Sequence, residues 1–220
     1  MKTFLSIGSG PGIGLSTAER FAAEGFRIIL SSRNHTYLDE QVSALQAAGH
    51  TAAGFYADAG KVESIIKLVH DVESQIGAID VLHFNSAAMH EGSIAAQSTE
   101  SFITDLTTNV GAGYAAVKEA SRGMLARHTG TLLLTGGIFS RTPNPDYLAL
   151  GIGKAGLLNL SQALFESFKK EGVHIATVTV AALVAARSPE ARGIAQAFWD
   201  LHNQQPAAWT DEITYPPAEK

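Results

Sequence analysis

"TFLSIGSGPGIGLSTAERF", residues 3 to 21, decides the fold. A short apolar run, Thr3–Ile7, passes into glycines at 8, 12 and 14 and then into a helical pattern, Ile13–Glu24. A continuous apolar run is what a strand covered on both faces requires. Glycines at such a junction permit a tight turn, close approach of backbone to a ligand, and close packing of helix on strand. The helix start then offers free N–H groups and the positive end of its dipole, which suit a phosphate. The turn from Gly8 through Ser9, Gly12 and Ile13 to Gly14 is therefore a candidate dinucleotide cradle. A tight strand–helix turn without a ligand is the plainer alternative.

The alternation continues along the chain. Strands are expected at Arg27–Ser31, Thr51–Tyr56, Val81–Asn85, Thr131–Thr135, Val173–Val180 and Glu212–Tyr215. Helices are expected between them, over 36–48, 62–75, 100–107, 111–126, 153–170 and 190–203. Ser188 followed by Pro189 marks the start of the last one. Parallel strands need crossover connections, so this pattern reads as an α/β, Rossmann-type doubly wound parallel sheet of about seven strands with helices on both faces. Residues 1–220 are expected to form one domain.

Totals exclude several classes. Hydrophobic residues make up 45% and charged ones 17%, as in a packed domain. A net charge of −5 without a Lys/Arg run argues against a nucleic-acid surface. The absence of cysteine rules out a disulfide, a thiolate nucleophile and a cysteine-ligated metal site, and no metal is expected. The start "MKTFLSIGSG" is not a signal-peptide pattern, and no stretch approaches the roughly 20 apolar residues of a bilayer span. A soluble cytoplasmic protein without a membrane partner is the expectation.

The spacing Gly-x-x-x-Gly-x-Gly resembles that of the short-chain dehydrogenase/reductase family, and the likeness runs through nearly the whole chain. After the second strand, "SSRN" sets Ser32 and Arg33 where NAD-binding relatives place a carboxylate; the first acidic residue beyond is Asp39. Arg33 with Ser32 points to NADP(H) in preference to NAD(H), a solvated surface arginine being the alternative. The resemblance implies a place beside the adenine for Asp58 in "YADAG", although helix capping explains it equally well. In "VLHFNSAA" only Asn85 matches the family's Asn-Asn-Ala-Gly signature, with cofactor contact implied. Asn109 in "TTNVGAG" matches an asparagine that helps position the active-site lysine, or else is a polar residue at a helix junction. A small-molecule substrate, a homodimer or homotetramer paired through helices 111–126 and 153–170, and a short segment of about 184–210 covering the substrate are implied as well.

In that family a Ser polarises the substrate carbonyl, a Tyr transfers the proton, and a Lys four residues later assists it and holds the nicotinamide ribose. Residues i and i+4 share a helix face, which fixes the spacing. Lys154, followed by "AG", fits as both a catalytic and a cofactor-binding residue. The tyrosine position, however, is Leu150, the serine position in "TLLLTGG" is Gly137, and the Pro-Gly after the sixth strand is replaced within "VTVAALVAA". Candidate replacement acids are Tyr147, seven residues before Lys154, and His90, with Glu91 beside it on the loop after the fourth strand. Ser140 is another neighbour by sequence; an ordinary surface serine and an exposed loop histidine are the plainer readings, and Tyr147 reaches the site only if its loop folds back. His83 alternates into its strand and is expected in the core. Loss of a positioned acid costs roughly 10²–10⁴ in rate. Two functions result: an NADP(H)-dependent oxidoreductase of a carbonyl- or alcohol-type small molecule with a rearranged site, or a catalytically silent NADP(H)-binding sensor or partner subunit.

Overall fold

A computed structural model describes residues 1–217. Seven strands form one sheet in the order β3-β2-β1-β4-β5-β6-β7, every neighbouring pair parallel. They are β1 Thr3–Ile7, β2 Arg27–Ser32, β3 Ala52–Tyr56, β4 Val81–Phe84, β5 Gly130–Thr135, β6 Val173–Val180 and β7 Glu212–Tyr215. The expected Rossmann-type architecture is present, and strand order reverses between β1 and β4. In open parallel sheets ligands bind at such a switch point, outside the carboxyl ends of the strands.

Helices cover both faces because the central strands are apolar on both. On one face lie α1 (Ile13–Ala22), α2 (His35–Ala47) and α7 (Pro189–His202), sharing a core with Phe4, Phe21, Leu38, Ile194, Phe198 and Leu201. On the other lie α3 (Val62–Gln75), α5 (Ala112–Arg127) and α6 (Leu148–Lys170), around Leu5, Ile65, Val69, Phe84, Met124 and Leu157. A short α4 (Thr99–Leu106) runs into α5 through a π-helical turn, Thr107–Gly111.

Two expectations need correction. Helix α6 begins at Leu148, not at residue 153, because Asn144 caps a 3-10 turn at Pro145–Tyr147 that launches the helix early. The expectation that no stretch is long and apolar enough for a bilayer fails on composition: Pro145–Lys170 meets that criterion. Its Leu157, Leu160, Leu164, Phe165 and Phe168 pack into the core, which accounts for the apolar character. The segment at 184–210 contains α7, at the place expected for a helix, with Ile194, Phe198 and Leu201 buried with Leu15, Ala18 and Phe21 of α1. Only its first few residues reach the carboxyl edge of the sheet, where the backbone of Arg187 bonds to Pro11.

Candidate active site

The glycine turn is built as its residue types require. Gly8 holds φ +83°, in the left-handed region that favours glycine, and a Cβ there would stand 2.5 Å from Ser86 Oγ. A Cβ on Gly14 would stand 2.6 Å from Gly8 O and 2.8 Å from Ser9 Cα, so this helix start sits directly on the turn. Gly12 faces more open space, its nearest neighbours being Ala185 O and Val184 Cγ1, each 3.9 Å from an added Cβ. Leu15 and Ser16 donate to Gly10 O and Gly12 O, and no side chain caps α1. Helix geometry leaves the N–H groups before them for a ligand. A cradle that excludes a Cβ at Gly8 and Gly14, stays open at Gly12 and presents an uncapped helix start fits a dinucleotide phosphate.

Ser9 turns away from this open face. Its hydroxyl donates to Ser31 O at 2.8 Å and accepts from Ser31 N–H at 2.9 Å, stapling the turn to the end of β2. Ile13 opens α1 as its first residue. Beyond β2, Ser32 Oγ accepts from Asn34 N–H at 3.1 Å, while Arg33 is exposed and joins no ion pair or side-chain hydrogen bond among the described residues. Asp58 Oδ1 accepts from Gly60 N–H at 3.0 Å, which makes it a turn residue ahead of α3; Lys61 is the residue at the helix cap.

Behind the turn lies a buried polar relay. Asn85 Nδ2 donates to Gly8 O at 2.8 Å, and Asn85 Oδ1 accepts from Thr135 Oγ1 at 2.9 Å. Because the threonine hydroxyl spends its proton on Asn85, it accepts from His83, whose Nε2 lies 3.0 Å away. That assigns the Nε2–H tautomer and agrees with Nδ1 having no partner. Burial and then the charge of Lys154 push the His83 pKa down to about 3, so the ring is neutral. The expectation of a hydrogen-bonded core histidine holds. Asn85 meets the turn through Gly8 O. Thr135 was not anticipated as a site residue; a hydroxyl closing the apolar run "TLLL" was the only signal in the sequence.

Lys154 shares this neighbourhood. Its Nζ donates to Thr135 O at 2.7 Å, only 6% of the residue is exposed, and burial lowers its pKa to about 8. The next residues inward explain its placement. A Cβ on Gly153 would overlap Asn109 Cβ, so α6 lies directly against the π-helical turn at this point. Asn109 is fully buried, its Oδ1 accepting from Ala88 N–H at 2.7 Å and its Nδ2 donating to Ala88 O at 3.1 Å. It therefore clamps the loop after β4 to the element that α6 packs upon.

The tyrosine and serine positions look different. Leu150 is 7% exposed, one turn before Lys154 on the same helix. At Gly137 an added Cβ would meet Lys154 Cγ at 3.4 Å, an ordinary contact, so space does not forbid a serine. Tyr147 occupies the position just before α6, stacks on Phe139 at 5.5 Å and donates to Glu91 Oε2 at 2.8 Å. That bond to a carboxylate raises its phenol pKa. Tyr147 and Lys154 are thus about two helical turns apart, near 10 Å of rise. His90 lies exposed on the loop after β4, folded over Gly92. Ser140 Oγ is buried without a partner among the described residues. The structure brings together the glycine turn, Asn85, Thr135, Lys154 and Asn109, and it leaves Tyr147 and His90 outside that cluster.

Among known proteins, the curated 2-(S)-hydroxypropyl-CoM dehydrogenase 3 of Xanthobacter autotrophicus is 28% identical over 171 residues, 78% of this chain and 67% of that protein. For the curated relatives matched here, the chain spans about two thirds of their length or less. A solved short-chain dehydrogenase from Rhodopseudomonas palustris superimposes with a TM-score of 0.89 at 26% identity, covering 99% of both chains. A metagenomic short-chain oxidoreductase solved in complex with NADP reaches a TM-score of 0.90 at 21% identity over 99% of this chain and 98% of its own. The family model described as short chain dehydrogenase matches residues 2–192, and the chain belongs to that family.

Proposed function

We propose that the chain is an NADP(H)-dependent oxidoreductase acting on a small carbonyl- or alcohol-type molecule, with proton transfer arranged differently from the family pattern. The observation that carries this reading is the uncapped glycine turn joined through Asn85 and Thr135 to the buried Lys154. Arg33 beside the turn supports NADP(H) over NAD(H), since guanidinium–phosphate bonds are among the stronger charge-assisted ones. The NADP-bound structural neighbour supports the same choice. When bound, the nicotinamide supplies or accepts a hydride.

The protein's own part is positioning and proton supply. Gly8, Gly12, Ile13 and Gly14 present backbone to the phosphates, and Asn85 holds the turn. Asp58 borders the adenine side, and Asn109 fixes the loop after β4 to the element that α6 packs upon. Lys154, with its pKa near 8, exchanges a proton near neutral pH more readily than an ordinary lysine. Tyr147 and His90 remain candidate donors only if their loops fold inward. Exposed Tyr114 on α5 and Ile152 on α6 support assembly into a homodimer or homotetramer. No nucleic acid or membrane partner is proposed, and a cytoplasmic location fits the reading.

A silent NADP(H)-binding sensor or partner subunit is the second reading, favoured by Leu150, Gly137 and the engagement of Tyr147 with Glu91. Fluorescence titration with NADPH and NADH, on wild type and Arg33→Ala, tests the shared premise. Turnover with a carbonyl panel that disappears in Lys154→Ala supports the enzyme; tight binding without turnover supports the sensor. Absence of binding removes both.

A further inference from the structure

The chain after β6 is drawn back against the glycine turn. Arg187 N–H donates to Pro11 O at 3.3 Å, next to the point where Ala185 and Val184 face Gly12. Arg187 holds φ +56°, a backbone conformation that residues with side chains rarely adopt. Among the described residues the other non-glycine residue with positive φ, His128, is the C-cap of α5, where the left-handed form is common. Arg187 has no such reason; it precedes Ser188, the N-cap of α7. Its carbonyl is held too, accepting from Arg192 Nη1 at 2.7 Å. Both backbone groups are held while the guanidinium is exposed and joins no ion pair or hydrogen bond among the described residues. An outlying backbone conformation that presents a free side chain beside a binding turn points to function.

The charge of Arg187 reaches Tyr37, in the first turn of α2. Burial pushes the Tyr37 phenol up to about 12, with the charge of Arg187 opposing the rise and that of Glu19 adding to it. Tyr37 follows Arg33 by four residues, and its hydroxyl is buried with no partner among the described residues. Ser9 staples the turn to Ser31, two residues before Arg33, so Arg33 follows on the β2–α2 side of the turn while Arg187 is tied to Pro11 on the β6–α7 side. Two guanidiniums thus flank the turn, neither in an ion pair among the described residues.

We infer that Arg187 grips the 2′-phosphate of NADP(H) opposite Arg33, so that the segment after β6 takes part in cofactor selection. This rests on the reading of the chain as an NADP(H) binder. The test is calorimetric titration of NADPH, NADH and 2′,5′-ADP into wild type, Arg187→Gly, Arg187→Lys and Arg33→Ala. Glycine keeps the left-handed backbone while removing the guanidinium, and an unchanged melting temperature confirms that the turn is intact. One charge-assisted bond at a solvent-exposed rim amounts to about tenfold in affinity. Arg187→Gly is expected to bind NADPH and 2′,5′-ADP about tenfold more weakly with NADH unaffected, and Arg187→Lys to lose less. Equal weakening for NADH and NADPH overturns the assignment, as does unchanged NADPH affinity in Arg187→Gly. If NADPH selectivity is lost in Arg33→Ala but untouched in Arg187→Gly, only this inference falls. If wild type binds neither dinucleotide, the cofactor reading falls with it.

Discussion

Thr135→Val is the sharpest probe of the buried relay, because valine keeps the shape and the strand preference while deleting one oxygen. In the native protein that oxygen accepts from His83 Nε2 and donates to Asn85 Oδ1, at 3.0 and 2.9 Å. Deleting it strands a buried donor on His83, which is fully enclosed, and an acceptor on Asn85. Each orphaned group costs about 1–3 kcal/mol. With partial relaxation of the less enclosed Asn85, the sum is about 3 kcal/mol. For a chain of this size that is a fall in melting temperature of roughly 6–12 °C. Asn85 also holds Gly8 O, so NADPH affinity should weaken in the same variant, whereas Lys154 keeps its partner, the Thr135 carbonyl. Urea unfolding and NADPH titration of Thr135→Val and Thr135→Ser are the assays, with serine expected within about 1 kcal/mol of wild type. A valine variant within 0.5 kcal/mol of wild type, a window of about the usual scatter for neutral substitutions, would refute the relay as a structural element.

Gly14→Ala places a Cβ against the backbone of Gly8 and Ser9 and should cost about 1–3 kcal/mol along with cofactor binding. Gly10→Ala, with nothing within 4 Å, should leave both unchanged, and thermal melts with NADPH titration compare the two. Gly137→Ser combined with Leu150→Tyr restores the family's serine and tyrosine beside Lys154. It should raise the rate of ketone reduction about 10²-fold or more, read as kcat against wild type. Acid should destabilise the fold early. His83 and His202 have native pKa values lowered to about 3 and about 4 by burial. The unfolded chain therefore takes up their protons first, near pH 6.5. Stability is complete above that pH and is lost as pH falls toward the native values, at a limiting slope of about 1.4 kcal/mol per unit for each histidine. Urea midpoints that stay flat between pH 7 and 5 would contradict this.

Much of the fold was legible because buried strands leave short apolar runs between helical patterns: β1 and β6 lie where the pattern placed them, as do α3 and the half-exposed edge strand β7. What escaped notice has local physical causes. The early start of α6 depends on Asn144 and Pro145 forming a 3-10 turn, in a stretch that reads as loop. The π-helical turn leaves no compositional mark, although Asn109 was recognised at a helix junction. Gly8, Gly12 and Gly14 announced the turn, since their backbone demands are unusual. Thr135 did not announce itself, because its role arises from β4 and β5 lying side by side, fifty residues apart in the chain. Arg187 was invisible for a similar reason: it matters only because the chain after β6 returns to Pro11.

Being tied to Ser31 by a serine staple and to the strand ends by Asn85, the glycine turn belongs to the same cooperative unit as the sheet. Its conformational entropy is surrendered at folding and not at binding, so a nucleotide arriving there meets a surface already set. The amides of Gly8 and Ser9, both donating to Ser31 O, should accordingly exchange with solvent as slowly in the empty protein as in the loaded one.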